Sequence, residues 1–288
     1  MKIGSEAHKH LFCSAFVDHH RPYEPEQLGW PVLDGDALTL LRGLPFWTHA
    51  LQAEEDAGPM ITACAALEPD AMVRRALELQ AFEEMRHARI IKHMIELYGL
   101  HADETRVEIP ADAVGAFIDF GFEECLDSFG AFGLFKLARE HLIIIPAPLF
   151  DIFDRVMQEE AAHIVFFLNW FAYRQTNGGL FPRAVRHPKA LWHYSRALRK
   201  LAGLAFSNDT DEGKDFIISG ADAFVDNLTP AVVLAACLEE NTRRLAGFDR
   251  RLLVPLLAPR LARLALAVLN RLPRRGPRGG AERRQRAE

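Results

Sequence analysis

Apolar side chains recur every three to four positions through most of this chain, and runs alternating with period two are sparse. That spacing predicts an all-α protein. A short helix from about Ser5 to Asp18 is followed by a proline-containing arm, Arg21-Pro-Tyr-Glu-Pro-Glu-Gln-Leu-Gly-Trp-Pro, which Tyr23 and Trp30 would anchor to the body. Four long helices come next. The first runs from about Pro45 to Leu67 and is bent near Gly58-Pro59. The second starts after Asp70 as its N-cap and ends at Tyr98-Gly99. The third spans about Asp112 to Ile144, stopped by Pro146, and the fourth spans about Pro148 to Thr176, closed by Asn177-Gly178-Gly179. Further helices are expected near Pro188–Phe206, Gly213–Asp226, Thr229–Ala246 and Arg251–Arg271. The chain thus divides into an arm (1–44), a four-helix body (45–178), a helical extension (179–272) and a disordered basic tail (273–288).

Two of these helices carry the same short motif, Glu84-Met85-Arg86-His87 in the second and Glu160-Ala161-Ala162-His163 in the fourth, 76 positions apart (160 minus 84). Residues three apart lie on one helix face about 4.5 Å apart along the axis, so a carboxylate and an imidazole can address one metal ion. Such pairs on helices two and four form a dinuclear site if helices one and three each add a Glu. Glu54 continues the apolar face Trp47, Ala50, Leu51, Gly58, Ile61, and Glu124 continues Phe117, Phe120, Gly121, Ser128, Ala131, Phe135. A solvated surface pair explains one Glu-x-x-His well. It does not explain four carboxylates beside apolar stripes, because unpaired buried carboxylates are strongly disfavoured. Two divalent cations would balance four carboxylates and two neutral imidazoles, a donor set that suits iron or manganese.

The six residues Glu54, Glu84, His87, Glu124, Glu160 and His163, with Glu83-Glu84-Met85-Arg86-His87 read as acid-Glu-x-Arg-His, closely resemble the ferritin-like di-iron carboxylate proteins. The likeness extends over roughly Leu44 to Asn177, and the first motif is similar to the signature of the hydroxylase subunits of bacterial multicomponent monooxygenases. It implies a ferritin-like four-helix bundle with two iron ions, manganese being the other candidate. It also implies that Glu83 and Glu159 hold the far nitrogens of His163 and His87, with Arg86 beside them. Ser128 stands where those hydroxylases keep a hydroxyl residue beside the metal, which suggests proton delivery. The activity implied is that of an O2-activating non-haem oxidase or oxygenase with a small, largely apolar substrate and an electron donor. A non-catalytic iron-handling or scaffold protein and a dimanganese peroxide-consuming enzyme are the alternatives. Two departures narrow the likeness. Ile91 replaces the radical tyrosine of ribonucleotide reductase small subunits, and Val156 replaces the extra ligating His of arylamine N-oxygenases.

The third helix interleaves aromatics with Gly121, Gly130 and Gly133. Glycine disfavours a helix interior by about 1 kcal/mol relative to alanine, so space is wanted there for a ligand or a close neighbour helix. Phe117, Phe120, Phe132 and Phe135 would then line an apolar substrate pocket.

Composition adds exclusions. The net charge is −5, and the segment from Pro273 onward holds six Arg against two Glu, a local +4 that leaves −9 on the rest. That balance argues against nucleic acid as a partner. Four widely spaced cysteines point to buried thiols rather than disulfides. The lack of a leader-like start or an uncharged apolar run of spanning length gives the expectation of a cytoplasmic protein. His8, His10, His19 and His20 cluster without an accompanying Cys or acid pattern. Homodimer formation and a peripheral membrane contact through 252–272, which combines leucines with Arg260, Arg263 and Arg271, are the remaining partner expectations.

Overall fold

The computed structural model describes residues 1–44, 46–177, 190–199 and 229–271, and all of its regular structure there is helical. The eight α-helices bounded within those residues are α1 (Glu6–His19), α2 (Gly35–Gly43), α3 (Trp47–Ala66), α4 (Ala71–Tyr98), α5 (Ala113–His141), α6 (Ala147–Asn177), α7 (Pro230–Leu245) and α8 (Leu257–Leu269). Residues 190–199 are also helical. The helix expected near Gly213–Asp226 and the tail 273–288 lie outside the described residues.

Local chemistry sets the ends. Asp70 accepts hydrogen bonds from the Met72 and Val73 amides at the start of α4, and Gly99 closes that helix in the left-handed conformation at φ 59°. Asp112 caps α5 and Thr229 caps α7, with Pro230 in the first turn. Pro59 sits inside α3 and takes away the amide that would bond the Glu55 carbonyl, yet the helix continues through it. Three elements differ from expectation, one being α8, which begins at Leu257 rather than Arg251. α5 ends at His141 rather than Ile144, where Leu142 already leaves the helical conformation. The arm contains α2, capped by Asp34 and packed through Ala37 and Leu41 with Trp47, Met94 and Tyr98.

α3 lies along α4 and against α5, α6 packs on α4 and α5, and α1 covers α6 and α4. α7 packs on α5, with α8 outside it. The main core is aromatic, built from Phe12, Phe16, Phe117, Phe122, Phe132, Phe166, Phe167, Trp170 and Phe171. Fully buried Asn169 joins the two ends of the chain. Its Oδ1 lies 3.0 Å from His8 Nε2 and 2.9 Å from the Leu253 amide, and its Nδ2 donates to the Leu253 carbonyl. His8 is therefore a packing residue, and His19 stacks on Phe248 at 4.3 Å. All four cysteines are buried thiols. Among the described residues no helix is long and apolar enough to cross a membrane.

Candidate metal centre

α3, α4, α5 and α6 bring Glu54, Glu84, His87, Glu124, Glu160 and His163 together as two overlapping groups. The first is Glu54, Glu84, His87 and Glu160; the second is Glu84, Glu124 and His163. Within each, the candidate ligand atoms lie within 4.8 Å of one another. The overlap has a simple geometry. Glu160 presents Oε1 3.0 Å from His87 Nδ1 and Oε2 3.5 Å from His163 Nδ1. Glu84 presents Oε2 3.8 Å from His87 Nδ1 and Oε1 3.2 Å from His163 Nδ1. Both carboxylates thus straddle the pair. Glu54 reaches only His87, at 3.6 Å, and Glu124 only His163, at 3.8 Å. Glu55 turns elsewhere, pairing with Lys92 and accepting from Thr105.

The far side of each ring is already held. His87 Nε2 is 2.8 Å from Glu159 Oε2 and His163 Nε2 is 2.9 Å from Glu83 Oε2, so each carboxylate crosses to the histidine of the other motif. Ionised carboxylates only accept, so each Nε2 carries a proton and a neutral ring offers its Nδ1 lone pair to the cluster. Both Nδ1 atoms are buried without a hydrogen-bond partner, as is Glu124 Oε2. Arg86 is fully buried and places Nη2 2.7 Å from Glu159 Oε1 and 3.7 Å from Glu83 Oε1.

Three outer partners lie beyond what the motifs identified. Tyr23 Oη donates to Glu159 Oε2 at 2.9 Å, and the Arg86 guanidinium sits 3.9 Å from the Tyr23 ring centroid. His20 Nδ1 lies 2.6 Å from Glu83 Oε1. Gln80, fully buried one turn before Glu84, donates to Glu84 Oε1 at 3.3 Å. Only Gln80 had a local signal, its i,i+4 spacing; the arm residues are sequence-distant. Among the described residues, the amino-terminal histidines form no metal group of their own.

Without a cation these buried groups redistribute protons. Burial opposes charge on the rings, but the surrounding carboxylates outweigh it and raise His87 and His163 well above the ordinary histidine range. Burial raises Glu54 to about 8 and, with repulsion from Glu160, raises Glu124 well above the carboxylate range. Burial also opposes ionisation of Glu84 and Glu160, yet the charge on His163 and bonds to both rings bring Glu84 down to about 2 and Glu160 well below its ordinary value. These directions favour imidazolium rings beside ionised Glu84 and Glu160, with the protons of the remaining pair on Glu54 and Glu124. Replacing those four protons with two divalent cations conserves the charge, so the donor set fits such ions.

The proposed pocket residues divide. Phe117 lies in the core, 4.9 Å from Trp170 and 5.7 Å from Phe167 between ring centroids, so it packs helices. Phe120 is half-buried against that core. Phe132 is fully buried with the Arg244 guanidinium 5.3 Å from its centroid, and Phe135 meets Phe150 and the same arginine. Ser128 is buried on α5 one turn beyond Glu124. At Gly121 and Gly133 the glycine expectation resolves toward close helix packing. A Cβ at Gly121 would fall 2.3 Å from the Phe167 ring, and one at Gly133 would fall 2.3 to 2.7 Å from Cys237, including its backbone. No ligand space lies at either position.

No family model, curated protein or solved structure matches this chain. Replacing Glu83 or Glu159 with Ala is expected to weaken metal retention about 10 to 100-fold by releasing ring orientation. Metal content after dialysis against a chelator series checks this; unchanged retention in both variants would remove the outer carboxylates from the argument.

Proposed function

We propose that α3 to α6 form a ferritin-like four-helix bundle holding two iron ions, and that the protein is an O2-activating non-haem oxidase or oxygenase acting on a small, largely apolar organic substrate. The observation that carries this reading is the convergence of the buried Nδ1 atoms of His87 and His163 on the Glu84 and Glu160 carboxylates, close enough to share ions but without hydrogen-bond geometry between them. One imidazole and several carboxylate oxygens per position suit iron or manganese better than a softer metal.

When bound, the two iron ions would supply the electrons that reduce O2. The chain supplies the rest. Glu84 and Glu160 would hold the ions as a pair, Glu54 and Glu124 would each complete one position, and Glu83 and Glu159 would keep both rings in the ligating tautomer. The Glu54 side chain is 20% exposed against 2% for Glu84, so the α3 side is the more open to small reactants. Ser128 Oγ, one turn from Glu124, would hold a proton beside that carboxylate.

Anaerobic Fe(II) titration tests the reading. Saturation at two ions per chain is expected, followed by O2 consumption and oxidation of an apolar organic compound when a reductant is supplied. Accumulation of ferric iron without organic oxidation would indicate iron handling instead. Peroxide removal seen only with manganese would indicate the dimanganese alternative.

A further inference from the structure

The carboxy-terminal edge of the described fold presents an amphipathic surface that the metal site does not use. α8 is held on one side only. Pro259 and Ala262 are buried there, with Ala262 against Phe129 of α5 and Cys237 of α7. The segment entering α8 is fixed by the Asn169 bonds to Leu253 and by buried Leu252 and Pro255. The opposite side is apolar yet open: Leu256 is 48% exposed, Leu261 43%, Leu264 65% and Val268 50%. Leu261, Leu264 and Val268 repeat at helical spacing, so they form one stripe.

Charge decides what fits that stripe. Residues 250–271 contain Arg250, Arg251, Arg260, Arg263 and Arg271 and no acidic residue. Arg251 pairs with Asp249, whereas Arg260, Arg263 and Arg271 pair with no carboxylate among the described residues. Arg260 and Arg263 lie on α8 beside the stripe, Arg271 follows just past its end, and the sequence beyond Leu272 adds six more arginines against two glutamates. A second copy docked through this face would set arginine borders close together with no acid to separate them. An anionic bilayer offers the complementary arrangement, phosphates for the arginines and acyl chains for the leucines.

We propose that α8 docks the protein on an anionic lipid surface, lying in the plane of the headgroups with Leu261, Leu264 and Val268 inserted. This proposal does not depend on the chemistry at the metal centre.

Co-sedimentation of the full chain with phosphatidylcholine vesicles, with and without phosphatidylglycerol, tests it. Binding is expected only with phosphatidylglycerol, falling about fivefold for each of Arg260→Ala and Arg263→Ala. Leu261→Glu with Leu264→Glu should weaken it at least about tenfold, while helical content is kept because both side chains already face solvent. Absence of binding to phosphatidylglycerol vesicles overturns the proposal. So does binding that ignores the leucine substitutions, since the arginine-rich residues beyond Leu272 would then act alone. A dimer in analytical ultracentrifugation that Leu264→Glu dissociates would assign the stripe to a second copy and overturn it equally.

Discussion

Glu84→Ala is expected to leave the protein unable to retain either metal ion, whereas Glu124→Ala should leave it with one. The difference follows from reach. Glu84 lies within 3.8 Å of both histidine Nδ1 atoms and belongs to both metal-competent groups, so its loss strips a ligand from each position. Glu124 approaches only His163, and without it Glu54, Glu84, His87 and Glu160 still form a complete group. Glu160→Ala should resemble Glu84→Ala, and Glu54→Ala should spare the His163 position. The expected loss at each affected position exceeds about a hundredfold, the upper end of what an outer partner contributes. Metal-to-protein ratios measured by plasma mass spectrometry after desalting would distinguish the classes, with circular dichroism confirming that each variant is folded. Equal stoichiometric loss in all four variants would contradict a shared pair of carboxylates.

Metal binding at pH 7 should expel up to four protons and weaken sharply as the solution is acidified. The sign follows from the metal-free groups. His87 and His163 are raised well above their ordinary range, Glu54 is raised to about 8, and Glu124 is raised as well, so all four hold protons that a cation must displace. Below about pH 8 the apparent affinity should therefore fall as the pH drops, by up to about 100-fold per unit for each ion, since two protons leave for each cation that enters. Calorimetric titration in two buffers of different ionisation enthalpy counts the protons; release near zero would sink the charge-replacement argument. The empty fold should behave in the opposite sense. Raised folded-state values favour the protonated native state, so the Glu54 contribution is full below its ordinary value of 4.5 and is lost as pH rises through about 8. Metal then restores stability by mass action.

The sequence disclosed what repeats at helical spacing. Glu84 with His87 and Glu160 with His163 stand three residues apart, and the apolar stripes beside Glu54 and Glu124 distinguished each from its acidic neighbour. Asp70 and Gly99 marked their helix ends because capping and a left-handed stop are properties of single residues. Long-range features were less legible. Helix α2 is only nine residues long, begins and ends in glycine and is held by distant Met94 and Tyr98, so its own spacing says little. Gly121 and Gly133 announced missing volume but not its occupant, which proved to be Phe167 and Cys237. His20 and Tyr23 act on residues 63 and 136 positions away, where no periodicity could point.

Those two arm residues also break an equivalence. The Glu-x-x-His motif occurs twice and builds two matching half-sites, but the strand of chain that braces them occurs once and meets each half with different chemistry. One half is backed by a phenol, the other by an imidazole that touches solvent, and the Arg86 guanidinium between them sits closer to the first. A motif that occurs twice therefore ends as a left and a right: two metals bound there, as proposed, would meet the same ligand types in unequal surroundings and should differ in how fast each exchanges.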